Sequence, residues 1–170
     1  MDLQLKGKVA FVSGSTKGIG FAIAQQLLQE GAVVIINGRS QEAVNDSIEK
    51  LKVQVPQAEV TGIAADFAKV DQVNALLAQL PEIDILINNA GIFEPREFVD
   101  ISDEEWMRYF EINVLSGIRL SRVLFPKMLA KNWGRIIFIT SESAVNIPEE
   151  MIHYGTKKLQ YMLLAGGCLN

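Results

Sequence analysis

Ser13-Gly14-Ser15-Thr16-Lys17-Gly18-Ile19-Gly20 follows the apolar run Val9-Ala10-Phe11-Val12. It precedes a helix-period pattern in which Ile19, Ala22, Ile23, Leu27 and Leu28 share one face. A strand, a tight glycine turn and a helix start are thus written side by side. That order aims backbone N–H groups and the positive end of a helix dipole at one spot, which suits a phosphate. Gly14 can take φ > 0 in the turn, and Gly18 and Gly20 let a ligand and the neighbouring strand approach the backbone. Alone, the stretch reads equally well as an ordinary Gly-rich strand-to-helix turn.

Downstream, Gly31 ends the first helix and Ala32–Asn37 is a second apolar run. Ser40 caps a helix over Gln41–Lys52, stopped by Pro56. A third strand is expected over Glu59–Ala65, a helix over Val70–Leu80, and a fourth strand over Ile83–Asn88. Ser102, with Glu105 as partner in a capping box, opens a long helical region to about Lys131, with a break near Asn113. Arg135–Thr140 is a fifth strand, and Ile152–Ala165 a last helix that Gly166-Gly167 should break. Strands alternate with helices and are apolar throughout, which predicts a parallel sheet covered on both faces. The fold class is therefore α/β, a doubly wound, Rossmann-like sheet, expected as one domain over the 170 residues.

Net charge of −4 and pI near 5.1 argue against a nucleic-acid surface. No apolar run reaches the roughly 18 residues of a membrane span. The single Cys168 rules out an intramolecular disulfide and fits a reducing compartment. The polar Met1–Lys8 segment leads straight into the first strand and reads as no signal peptide, so the cytoplasm is the expected location.

The motifs Gly14-x-x-x-Gly18-x-Gly20, Asp66 after the third strand and Asn88-Asn89-Ala90-Gly91 after the fourth are followed by Asn113, Ser141 and Tyr154-x-x-x-Lys158. In that order, the chain resembles the short-chain dehydrogenase/reductase family from residue 5 to about residue 160. Ser141 lies 13 residues before Tyr154, the family spacing. The resemblance implies a sheet of order 3-2-1-4-5 and hydride transfer between a nicotinamide and a carbonyl or secondary alcohol. It implies cofactor contacts from Gly14, Ser15, Thr16, Lys17, Gly18, Ile19 and Gly20. Further contacts are expected from Arg39, Ser40, Asp66 (near the adenine), Asn89, Ala90, Gly91, Tyr154 and Lys158. It implies that Asn113 supports a water linking Lys158 to solvent, and that Lys158 holds the nicotinamide ribose hydroxyls. A family-type homo-oligomer is implied for a full-length form; no metal site is expected.

The chemistry of the Tyr154 region also stands on its own terms. Hydride transfer to a carbonyl leaves an alkoxide that needs a proton, and Tyr serves as acid once its pKa is lowered from about 10. A Lys four residues on shares its helix face, and its cation favours phenolate. Ser141, at a strand end, can hydrogen-bond the carbonyl oxygen. Without the other motifs these residues would read as an exposed helix pair and a loop hydroxyl. His153 precedes Tyr154 and points about 100° away from it on a helix, so a packing or surface role is expected. Val145–Ile152, with Ile147, Pro148 and Met151, suggests an apolar ligand face.

An NAD site usually places an acid about 20 residues beyond the glycine motif. Here Asn37-Gly38-Arg39-Ser40 stands at that place, with no carboxylate. A guanidinium at Arg39 and the ammonium of Lys17 suit a 2′-phosphate, so NADP(H) is expected in preference to NAD(H). A P-loop phosphotransferase fails on spacing, because no Gly-Lys-Ser/Thr follows the second glycine.

Family members usually run to about 250 residues, so the chain also resembles a C-terminally truncated member. Two strands and a substrate lid would be lacking, and the fifth strand would be an edge. A nucleotide-binding remnant with little activity is the alternative functional reading.

Overall fold

A computed structural model describes residues 3–167; Met1, Asp2, Cys168, Leu169 and Asn170 lie outside the described residues. The strands are β1 (Val9–Val12), β2 (Val33–Gly38), β3 (Val60–Ala64), β4 (Ile85–Asn88) and β5 (Arg135–Phe138). The helices are α1 (Gly18–Gln29), α2 (Gln41–Gln54), α3 (Val70–Gln79), α4 (Asp103–Phe110), α5 (Ser116–Ala130) and α6 (Ile152–Gly167). All strand pairs are parallel, in the order β3-β2-β1-β4-β5.

Side chains alternate across the sheet, and both faces are buried. Phe11, Ile35 and Leu86 pack on one face with Val73 and Leu76 of α3 and Leu120 and Leu124 of α5. Ala10, Val12, Val34, Ile36, Ile85 and Ile87 pack on the other with Ala24 and Leu28 of α1 and Val44 and Leu51 of α2. The residues of β1, and those of β2 and β4 up to their closing Asn37 and Asn88, are therefore apolar in succession, because they enter one or other of two cores.

The chain leaves β1 towards β2 and β3, then returns to the other side of β1 at β4. That reversal opens a crevice at the carboxyl ends of the strands, where ligands bind in open α/β sheets. The loops after β1, β2, β3, β4 and β5 all open on that edge. Lys131, just after α5, grips the other edge through the Asp84 carboxylate and the Ile83 carbonyl.

The expected elements are all present, with shifted ends. α2 runs on to Gln54, past Lys52, and β5 stops at Phe138, although Ile139 N still donates to Asn88 O. Ser102 Oγ accepts from Glu105 N, but the Glu105 carboxylate pairs with Arg96 at 3.2 Å and so leaves the capping box with its Ser102 arm. The break expected near Asn113 is a single π-helical turn, Glu111–Leu115. Gly166-Gly167 does not break α6, which continues through both. Glycine in a helix costs only about 1 kcal/mol, which a last turn tolerates. β3 and β5 are the two edge strands, and in β5 Ile137 is 45% exposed.

Candidate active site

The glycine turn has the geometry its sequence implies. Gly14 has φ +61° and Gly18 φ +59°. A Cβ on Gly14 would stand 2.9 Å from Ala90 Cα, so the turn and the loop after β4 touch backbone to backbone. A Cβ on Gly20 would press on Asn89 Nδ2 and the Gly14 carbonyl. α1 starts without a side-chain cap and with no acid in its first turn. Its first N–H groups and dipole therefore remain available to an anion.

Two residues hold this cradle that the family motifs did not single out. Ser13 Oγ donates to Ile87 O and accepts from Asn89 N and Ala90 N, which stitches the glycine turn to the loop after β4. Asn89 returns the contact, donating Nδ2 to Ser13 O and Gly14 O. Asn37, buried at the end of β2, accepts from Gly14 N and donates to Ile63 O and Ala65 O. Ser15 Oγ donates to Val12 O and accepts from Asn37 N. A polar residue closing an otherwise apolar buried strand was the available signal for Asn37, since its amide must find partners inside.

The other residues expected to contact a dinucleotide lie in and after the glycine turn and on the loops after β2 and β3. A Cβ on Gly38 would strike Thr16, so the end of β2 lies against the turn. Arg39 follows immediately; it and Lys17 are exposed, and neither is in an ion pair among the described residues. Ile19 is exposed on the first turn of α1. Ser40 Oγ is engaged as the α2 cap, accepting from Ala43 N. Asp66 Oδ1 accepts from Ala68 N, and Asp66 N donates to Gln72 Oε1. That carboxylate shapes the loop after β3.

The second cluster lies beyond β4 and β5. The extra residue of the π turn sets the buried Asn113 amide against the chain after Gly91. Asn113 Oδ1 accepts from Ile92 N at 2.7 Å, and its Nδ2 donates to Ile92 O at 2.9 Å. A Cβ on Gly91 would lie 3.1 Å from Asn113 Oδ1 and 3.6 Å from Lys158 Nζ. Gly91, Asn113 and Lys158 therefore converge. Lys158 is 4% exposed, donates to Ile139 O at 2.9 Å, and lies 5.6 Å from the Tyr154 ring centroid. Burial lowers its pKa to about 8. Its ammonium has three N–H donors and one carbonyl acceptor among the described residues, so donors remain for a ligand.

Tyr154 is half-buried, its ring 6.1 Å from that of Phe93. Ser141 starts a short turn, Glu142–Ala144, with Oγ accepting from Ser143 N. The turn packs directly on α6, because a Cβ on Gly155 would strike Ser143 O. Phe93, whose ring neighbours that of Tyr154, and Val145 and Ile147, which follow the turn in the chain, are exposed apolar side chains. His153 faces away from this cluster, buried between Trp106 and Tyr109.

The short chain dehydrogenase family model matches residues 8–165. The uncharacterized oxidoreductase YvaG of Bacillus subtilis is 48% identical over 165 residues, covering 97% of this chain and 62% of that protein. YvrD of the same organism, also an uncharacterized oxidoreductase, is 49% identical over 98% of this chain and 64% of its own length. The structure of L-sorbose reductase from Gluconobacter frateurii, complexed with NADPH and L-sorbose, superposes with a TM-score of 0.91 at 32% identity, over 98% of this chain and 65% of that one. The chain thus spans somewhat under two thirds of the length of these relatives. On the family model, the relatives and the sheet order together, it belongs to the short-chain dehydrogenase/reductase family.

Proposed function

We propose that the chain carries the dinucleotide site and proton-donating residues of an NADP(H)-dependent oxidoreductase acting on a carbonyl compound or the matching secondary alcohol. The observation that carries this reading is the Lys158 ammonium. It is buried without a carboxylate partner among the described residues, beside Tyr154, and against Gly91 and Asn113. A protein accepts a desolvated cation of that kind where function requires it.

The residues fit the cofactor. The uncapped start of α1 and the bare glycine cradle suit a pyrophosphate. Arg39 and Lys17 stand free of ion pairs among the described residues, and the Asn37 amide is turned inward on the backbone, so no acid opposes a 2′-phosphate there. The bound nicotinamide would supply hydride. Lys158 would hold its ribose hydroxyls, Tyr154 would give its phenol proton to the developing alkoxide, and Ser141 would orient the carbonyl oxygen. Asn113 fixes the backbone at Ile92 and so the wall beside Lys158.

The bare β5 edge favours a second reading, in which these 170 residues bind the dinucleotide without turning it over. NADPH oxidation with a panel of ketones, run beside NADPH binding, separates the two. Turnover that disappears in Tyr154→Phe supports the reductase; binding with no turnover supports the second reading; binding of neither dinucleotide rejects both.

A further inference from the structure

The contact between α4 and α6 joins a row of rings to a pair of ionisable side chains. Trp106, Tyr109 and Phe110 share one face of α4, at i, i+3 and i+4. His153 and Lys157, four apart on α6, meet that row. The His153 imidazole is 0% exposed, with its centroid 4.2 Å from that of Tyr109 and 6.1 Å from that of Trp106. Lys157 Nζ lies 5.4 Å from the Trp106 centroid and 5.0 Å from that of Phe110.

Neither ring nitrogen of His153 has a hydrogen-bond partner among the described residues. An imidazolium would have to donate from both nitrogens, so this box suits the neutral ring and penalises the cation. The charged groups around it do not reverse that. Burial lowers its pKa, Glu105 of α4 and Glu94 after β4 oppose the shift, and Arg96 adds to it. Arg96 itself pairs with Glu105 at 3.2 Å and with Glu94 at 3.8 Å, which weakens both acids as partners. The Tyr109 phenol is kept neutral by burial, which raises its pKa, and Lys157 on α6 adds a further positive charge to the same row.

His153 immediately precedes Tyr154, and Lys157 immediately precedes Lys158. The two pairs therefore lie about 100° apart around α6, and the seat of one sets the direction of the other.

We infer that His153 is a positioning residue: its neutral ring, seated in the aromatic row of α4, sets the rotation of α6 that presents Tyr154 and Lys158, and its protonation unseats that turn and weakens the site on the acid side of neutrality. This rests on the roles proposed above for Tyr154 and Lys158. The step is uptake of one proton from solvent.

His153 is the single histidine of the chain, so its Cε1–H resonance is unambiguous. Three curves are measured against pH between about 7.5 and about 5.5, the range in which histidine switches: that resonance, the melting temperature and NADPH affinity. The resonance should titrate below the ordinary value of 6.5. Affinity and melting temperature should fall together, binding by up to about tenfold per pH unit, the limit for one proton. His153→Phe keeps a ring and removes the titration, so its curves should be flatter. A purely structural role would lower its melting temperature by the same amount at every pH. Should that variant misfold, His153→Gln replaces it, and the resonance of the unmodified chain is read regardless. A resonance titrating at or above 6.5, or parallel curves for the chain and its non-titrating variant, would overturn the inference. Failure of both proteins to bind NADPH at any pH would instead reject the cofactor reading, and the resonance and melting curves would then decide the inference alone.

Discussion

Lys158 Nζ donates to the Ile139 carbonyl at 2.9 Å, and this bond ties the first turns of α6 to the end of β5. The cation is buried, and burial brings its pKa down from 10.5 to about 8. The folded state therefore binds fewer protons than the unfolded state between those values, and stability rises with pH across that window. Lys158→Met should abolish turnover yet be more stable near neutral pH, by on the order of 1–3 kcal/mol. Its stability should lack the rise between about 8 and about 10.5 that the unmodified chain shows. Chemical denaturation at several pH values checks this; a variant less stable than the parent at pH 7 would contradict it.

Tyr154→Phe keeps the ring contact with Phe93 and removes the phenol. We expect kcat to fall by about 10²–10⁴, the usual worth of a positioned acid, with NADPH affinity almost unchanged. Steady-state kinetics with any ketone the chain reduces would show it. Retained turnover would mean that another group delivers the proton.

Gly14→Ala places a methyl group against the Ala90 backbone at a residue with φ +61°. Destabilisation on the order of 1–3 kcal/mol is expected from the backbone strain. NADPH binding should weaken as well, because the glycine turn and the loop after β4 must part. Calorimetric melting and cofactor titration measure the two effects.

Among the described residues β5 pairs with β4 alone, and its Ile137 is exposed. Such an edge invites pairing with another chain. The 170-residue chain should therefore associate at micromolar concentration, and Ile137→Lys should reduce that association without lowering the melting temperature. Light scattering and gel filtration decide it. A monodisperse monomer before the substitution would show that the edge is harmless.

The sheet was legible because its local signals agree. Val9–Val12, Val33–Gly38 and Ile85–Asn88 are apolar on both faces, and the glycine turn and Ser40 mark the helix starts beside them. The ends were less legible: β5 stops at Phe138 although the next residue, Ile139, is apolar too, and α6 runs through Gly166-Gly167 although glycine is a poor helix former. Motif spacing brought Gly91, Asn113, Tyr154 and Lys158 to one place, as the distances around Lys158 show. It did not show that Asn113 spends both ends of its amide on Ile92, because that depends on a π turn with no signature in the sequence. Nor did it show the Asn37 clamp on Gly14, which joins residues 23 apart in the chain.

In the function proposed here, Arg39 and Lys17 hold the 2′-phosphate of NADP(H) in the crevice. Titration of the purified chain with NADPH and with NADH, beside Arg39→Asp, tests it most directly. NADPH should bind at least about tenfold more tightly, and Arg39→Asp should narrow or invert the preference, through loss of a charge-assisted contact of about 1.5–3 kcal/mol. Equal affinities for the two dinucleotides in the unmodified chain would contradict it.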